Sequence, residues 1–199
     1  MNELIGDVLA QHFITLPFVT RTAGCVEIFK KSTKSVIKKF PVAGQIYKTD
    51  SGQIYCDKSE DYQPITPNSQ ETGIVFFEDL GSKLVKKDSS KLTWKGSLRL
   101  VCWLNYKKIG LENQVGALQG SVLANIPAKL QPQQYFMGGV FYPSEVEPKT
   151  TSAFDKYDLS ENENQFLIHP FGHFSIRLNY MVYTNRSCPI NITVDPIVC

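Results

Sequence analysis

Histidine, tryptophan and methionine are scarce in this chain, at three, two and three residues of 199. No CxxC pair occurs, and the five cysteines (Cys25, Cys56, Cys102, Cys188 and Cys199) stand at wide, irregular gaps. An odd, scattered set reads as ordinary reduced thiols, not as a disulfide framework or a zinc site. The sequence has no P-loop, no GxGxxG fingerprint and no GxSxG elbow, so the common nucleotide-binding and hydrolase signatures are missing. No apolar run is long enough to cross a bilayer as a helix. The first residues, MNELIGDVLAQHF, carry Glu3 and Asp7 and no basic n-region. A signal peptide is therefore not expected, and the chain is expected to be made in a cytoplasm. On that expectation the sequons at Asn185 and Asn191 are chance matches. The formal net charge of +2 is too small to argue for nucleic acid or membrane from the total alone.

What the sequence does contain is pattern. Hydrophobic residues make up 42% and aromatic residues 12%, enough for a core of sheet type. In KLTWKGSLRLVCWLNYKKI (91–109) apolar and polar residues alternate. Leu92, Trp94, Leu98, Leu100, Cys102 and Leu104 share one side; Lys95, Arg99 and partly Trp103 share the other. A period of two predicts a half-buried antiparallel strand. FSIRLNYMVY (174–183) alternates in the same way and predicts a second. Ile74–Phe77 predicts a short strand turned by Glu78–Gly81 and paired with the long one. Apolar pairs around the turn at Thr49–Gly52 predict a hairpin. The polar, proline-bearing stretch 57–73 reads as a loop.

Two segments have helical spacing. Residues 2–13 place Leu4, Ile5, Val8, Leu9 and Phe13 on one face, with Asn2 as N-cap and Pro17 as terminator. Residues 112–127 carry Val115, Leu118, Val122, Leu123 and Ile126, and Gly116 and Gly120 suit close packing on a sheet or a neighbouring subunit. Residues 30–39, KKSTKSVIKK, hold five lysines. They read as a solvated loop or helix face, with an acidic partner or a nucleic-acid backbone as the alternative.

Sites of chemistry are thin. His169 and His173 are four apart, but Pro170 and Gly172 between them argue against a helix that would aim both at one metal. The carboxylate pairs Glu78–Asp79, Asp155–Asp158 and Glu161–Glu163 stand in turn-like, solvated contexts, unlike an acid–base pair. Cys102 lies on the inward side of its strand as an apolar filler.

Three segments in order, GIVFFEDLGSKLV (73–85), SLRLVCWLNYKKIG (97–110) and NQFLIHPFGHFSIRLNYMV (164–182), resemble neck and tail-terminator-like proteins of tailed bacteriophages that infect Bacteroidetes, including crAss-like phages. The resemblance covers roughly residues 70–183. It implies an α+β domain with a mostly antiparallel sheet and two or three helices packed on one side; the tail from Thr184, with Pro189, Pro196 and no helical spacing, reads by its own composition as an extended C-terminal arm. The resemblance also implies a ring, six-fold or twelve-fold, at the head-to-tail connector or tail. Its partners would be other neck, portal-side or tail proteins, with DNA passing through the lumen and no membrane contact. Such a chain is a structural virion protein assembled in the host cytoplasm, with no catalysis, no metal and no cofactor. Residues 1–183 are expected to form the domain, with 30–72 as a loop and hairpin excursion and 184–199 as the arm. The candidate interface residues are Lys30, Lys31, Lys34, Lys38 and Lys39 of the basic run, and Ile190, Ile192 and Val194 of the arm. The alternative is a small nucleic-acid-binding protein that uses Lys30–Lys39 with Tyr47 and Tyr55. A metal enzyme built on His169 and His173 is a third reading.

Overall fold

The alternation at 91–105 becomes a fifteen-residue strand at the middle of a 10-stranded sheet. A computed structural model of the chain describes residues 1–33, 36–50, 53–67, 70–111, 114–132, 136–142, 145–147, 154–157 and 170–185. The chain opens with helix α1 (Asn2–Phe13), then β1 (Arg21–Cys25), β2 (Glu27–Thr33), β3 (Val36–Asp50) and β4 (Gln53–Pro64). The long strands β5 (Gly73–Lys87) and β6 (Lys91–Asn105) follow. Helices α2 (Tyr106–Ile109) and α3 (Val115–Ala124) lead to β7 (Lys129–Leu130), β8 (Gly138–Phe141), β9 (Glu145–Val146) and β10 (Phe171–Asn185). The strand order is β2-β3-β1-β5-β6-β10-β8-β7, with β4 against β3 and β9 against β10. Among the described residues only β1 and β5 pair in parallel. The fold is therefore α+β with a mostly antiparallel sheet.

The helices lie on one face. There α1 and α3 bury Ile5, Leu9, Phe13, Leu118 and Val122 against Leu98, Leu100, Cys102, Leu104, Ile176 and Leu178. Full burial of each such leucine stabilises by about 2 kcal/mol. The opposite face is also covered, and the sequence pattern understates this. Val101 and Trp103 of β6 pack with Ile74, Phe76, Phe154 and Tyr157 in a second, smaller core. The strand is fully buried toward its C-terminal end and half-exposed only at its start.

Several expectations need correction. Asn2 is the first residue of α1, not its cap; its amide donates to Asp79 and to the Ser97 carbonyl, and the Tyr180 hydroxyl donates to its Oδ1. Glu78–Gly81 does not turn the chain. The strand runs on to Lys87 through a bulge between Asp79 and Ser82, where Gly81 adopts φ 103° and its N–H bonds Asp79 at 2.5 Å. A positive φ suits glycine, so the bulge absorbs the irregularity without ending the ladder. Most of the stretch read as a loop, 57–64, belongs to β4, which among the described residues pairs only with β3. An edge strand held by one ladder needs no apolar alternation. Where it is described, the lysine run is not a loop or helix: residues 30–33 lie in β2 and 36–39 in β3. Gly116 and Gly120 face open space within the chain, so they do not bring α3 close to the sheet. The strand β10 reaches Asn185, so the arm expected from 184 begins no earlier than 186, outside the described residues.

Candidate interaction surfaces and a buried ionic cluster

Glu78 shares its parity on β5 with Ile74 and Phe76, so its side chain turns into the second core and is 1% exposed. This overturns the solvated reading of Glu78. Its cross-strand partner is Arg99, whose guanidinium meets Glu78 at 3.0 Å and Glu147 at 2.6 Å. The Ser175 hydroxyl donates to Glu147 at 2.7 Å, and Arg177 approaches it at 3.6 Å. Tyr157 donates to Glu78 at 2.7 Å and Lys156 pairs with it at 2.9 Å. Burial opposes charge on Glu147, but hydrogen bonds from Arg99 and Ser175 and the charges of Arg99 and Arg177 outweigh it and hold that carboxyl below its ordinary range. Burial and the neighbouring Glu78 push the Tyr157 phenol up, so it stays a donor. Every charge in the cluster is compensated. The arrangement ties the end of β9 and residues 154–157 to the centre of the sheet.

A second feature is a cleft of about 470 Å³ where α1 meets β1, β2 and β5, lined by Glu3, Asp7, Cys25, Glu27, Tyr62 and Asp79. Burial, helped by Glu3, pushes Asp7 up to about 6. Burial pushes the Cys25 thiol up to about 12, and its Sγ–H donates to the Asn2 carbonyl at 3.4 Å. A thiol held protonated is a poor nucleophile. Among the described residues no group of three His, Cys, Asp or Glu side chains is placed to hold a metal. His173 sits on β10 with its ring 4.6 Å from Phe154, edge to face. His169, Asp158, Glu161 and Glu163 lie outside the described residues, and Asp155 is exposed. Cys102 is fully buried in the main core, as its position on β6 implies, and burial raises its thiol pKa.

The sheet divides where β1 and β5 part. The Val26 N–H bonds the Phe77 carbonyl at 2.8 Å; beyond it, among the described residues, β2 pairs only with β3 and β5 only with β6. From Asp79 to Lys87 one side of β5 is an unpaired edge among the described residues, and Leu80, Leu84 and Val85 there are 37–42% exposed. On the β2 side Ile28 and Phe29 are exposed too. The candidate lysines meet in register: Lys30 opposes Lys39 and Lys31 opposes Lys38. Lys34, Ile190, Ile192 and Val194 lie outside the described residues. Like charges set directly opposite on a ladder destabilise it slightly, and strand lysines discourage indiscriminate edge pairing.

The sequence reading missed the Arg99–Glu78–Glu147 cluster and the split. The signal for the first was present, because Glu78 continues the parity of Ile74 and Phe76. The split depends on the parallel β1–β5 pairing, which no local pattern announces. No protein-family model, curated protein or solved structure matches this chain.

Proposed function

We propose that this chain is a structural subunit of a tailed-phage virion, a ring-forming component of the head-to-tail connector or tail, without catalysis. The single observation that carries the self-assembly is the unpaired edge of β5 from Asp79 to Lys87, with Leu80, Leu84 and Val85 exposed along it. Such an edge offers backbone donors and acceptors to an added strand, with side-chain contacts to select the partner. A ring needs two different surfaces per subunit, because its contacts run head to tail. The β5 edge supplies one; an extended segment of the next copy, with 186–199 as the candidate, supplies the other. The segments that carry the phage resemblance fall largely on β5, β6 and β10, the strands that form this edge and its support.

The alternative built on Lys30–Lys39 with Tyr47 and Tyr55 is weakened at Tyr47. That ring is 2% exposed in the core that holds α1, and its hydroxyl accepts from Gln11 at 3.1 Å. It offers no face for stacking a base.

The test is the mass of the purified chain in solution with its appearance by electron microscopy. Closed rings that the double variant Leu80→Lys/Val85→Lys dissolves into folded monomers support the proposal. Rings unaffected by that variant sink the edge as their basis.

A further inference from the structure

The net charge of the chain conceals a second lysine-rich surface, separate from the run at 30–39. Between Ser82 and Gly96 there are five lysines (Lys83, Lys86, Lys87, Lys91 and Lys95) and one acid, Asp88. The register sorts them. Lys83 stands directly opposite Lys95, and Lys86 opposite Thr93. Thr93 and Lys95 share one face of β6, and Lys91 falls on that face as well. A bulge between Leu84 and Lys86 restores this alignment. Four lysines are thus gathered on one face of two adjacent strands, and all four are exposed. This is the face that carries Arg99, but Arg99 is neutralised by two buried carboxylates, Glu78 and Glu147, whereas among the described residues Lys83, Lys91 and Lys95 meet no carboxylate and Lys86 meets only the half-exposed Asp88. Lys86 reaches Asp88 at 3.2 Å, and Lys91 lies 5.1 Å above the Tyr183 ring.

We infer that this lysine face binds the phosphate backbone of a nucleic acid. Placing Lys83 against Lys95 raises the energy of the unliganded sheet, and a polyanion relieves that repulsion. The exposed cations that β5 and β6 place on this face are all lysines, which suits point contacts to phosphates and not reading of base edges. The β5 edge lies in the plane of the sheet and the lysines rise from its face, so the inference stands independently of the ring.

The test uses the full chain and a fluorescently labelled, mixed-sequence DNA duplex, titrated at several salt concentrations. Binding is expected to weaken linearly on a log–log plot, with a slope of roughly −3 to −4 from four phosphate contacts. The variant Lys83→Gln/Lys86→Gln/Lys91→Gln/Lys95→Gln is expected to lose most of that slope and at least about tenfold in affinity at low salt. The single variant Lys83→Glu guards against a folding artefact. It converts a like-charge pair into an opposite one, so it is expected to hold or raise thermal stability while weakening DNA binding. Unchanged affinity in the folded quadruple variant overturns the inference. So does equal or tighter binding of polyglutamate of matched charge, which would assign the face to an acidic protein instead.

Discussion

Glu78 and Arg99 face each other across β5 and β6, and their charges meet at 3.0 Å beside the ring of Tyr157. The guanidinium also holds Glu147, so one side chain joins β6 to the residue that follows β9. Removing it strands two poorly exposed carboxylates. Arg99→Met is expected to destabilise the fold by about 3 kcal/mol or more, as breaking a buried ion pair does. Adding Glu78→Gln should recover part of that loss, with a coupling of about 1–3 kcal/mol between the sites. Urea denaturation of the four proteins of the cycle checks this; additive effects would show that the pair is not coupled.

Gly96 lies opposite Tyr180 in the β6–β10 ladder, and the tyrosine ring occupies the space above the glycine. A Cβ there would collide with the end of that ring and with the Asn2 amide. Gly96→Ala is expected to cost about 1–3 kcal/mol through overpacking. Thermal unfolding measures it, and a melting temperature equal to that of the parent would mean the ring moves aside freely.

Acid pH acts on two carboxyls in opposite senses. Asp7, whose ordinary value is 3.8, titrates near 6 in the fold because of burial and Glu3. The folded state therefore binds its proton more tightly, and this group's contribution to stability falls as pH rises between those values, by about 1–3 kcal/mol. Glu147 is depressed in the fold, so its contribution is present above its ordinary value of 4.5 and is lost as pH falls through the lower folded value. Asp7→Asn is expected to stabilise the protein at neutral pH and to flatten the decline between pH 4 and 6. Stability profiles of parent and variant that run parallel across that window would contradict the Asp7 assignment.

Much of the fold could be read from local pattern, and the failures have physical causes. Leu98, Leu100, Cys102 and Leu104 alternate because one face of β6 meets α1 and α3, and the sequence shows that directly. The first helix, the hairpin of β3 and β4 and the alternation in β10 were legible for the same reason. Val101 and Trp103 gave a weaker signal, because their covering residues Phe154 and Tyr157 come from a short segment far along the chain. Polar β4 hid its strand, since backbone pairing with β3 supports it without an apolar face. Glu78 looked solvated because Glu78–Gly81 reads as a turn, and Arg99 stood on the polar side of its strand; their cross-strand pairing shows otherwise. The free edge of β5 was not legible at all. Its solitude follows from where β1 ends, at Cys25, and not from anything in Asp79–Lys87 itself.

The most direct measurement for the account as a whole is the native mass of the full chain across a concentration series, taken beside Leu80→Lys/Val85→Lys. The account predicts one defined oligomer for the parent and a folded monomer for the variant. A parent that stays monomeric at the highest attainable concentration, with the same mass as the variant throughout, would contradict it.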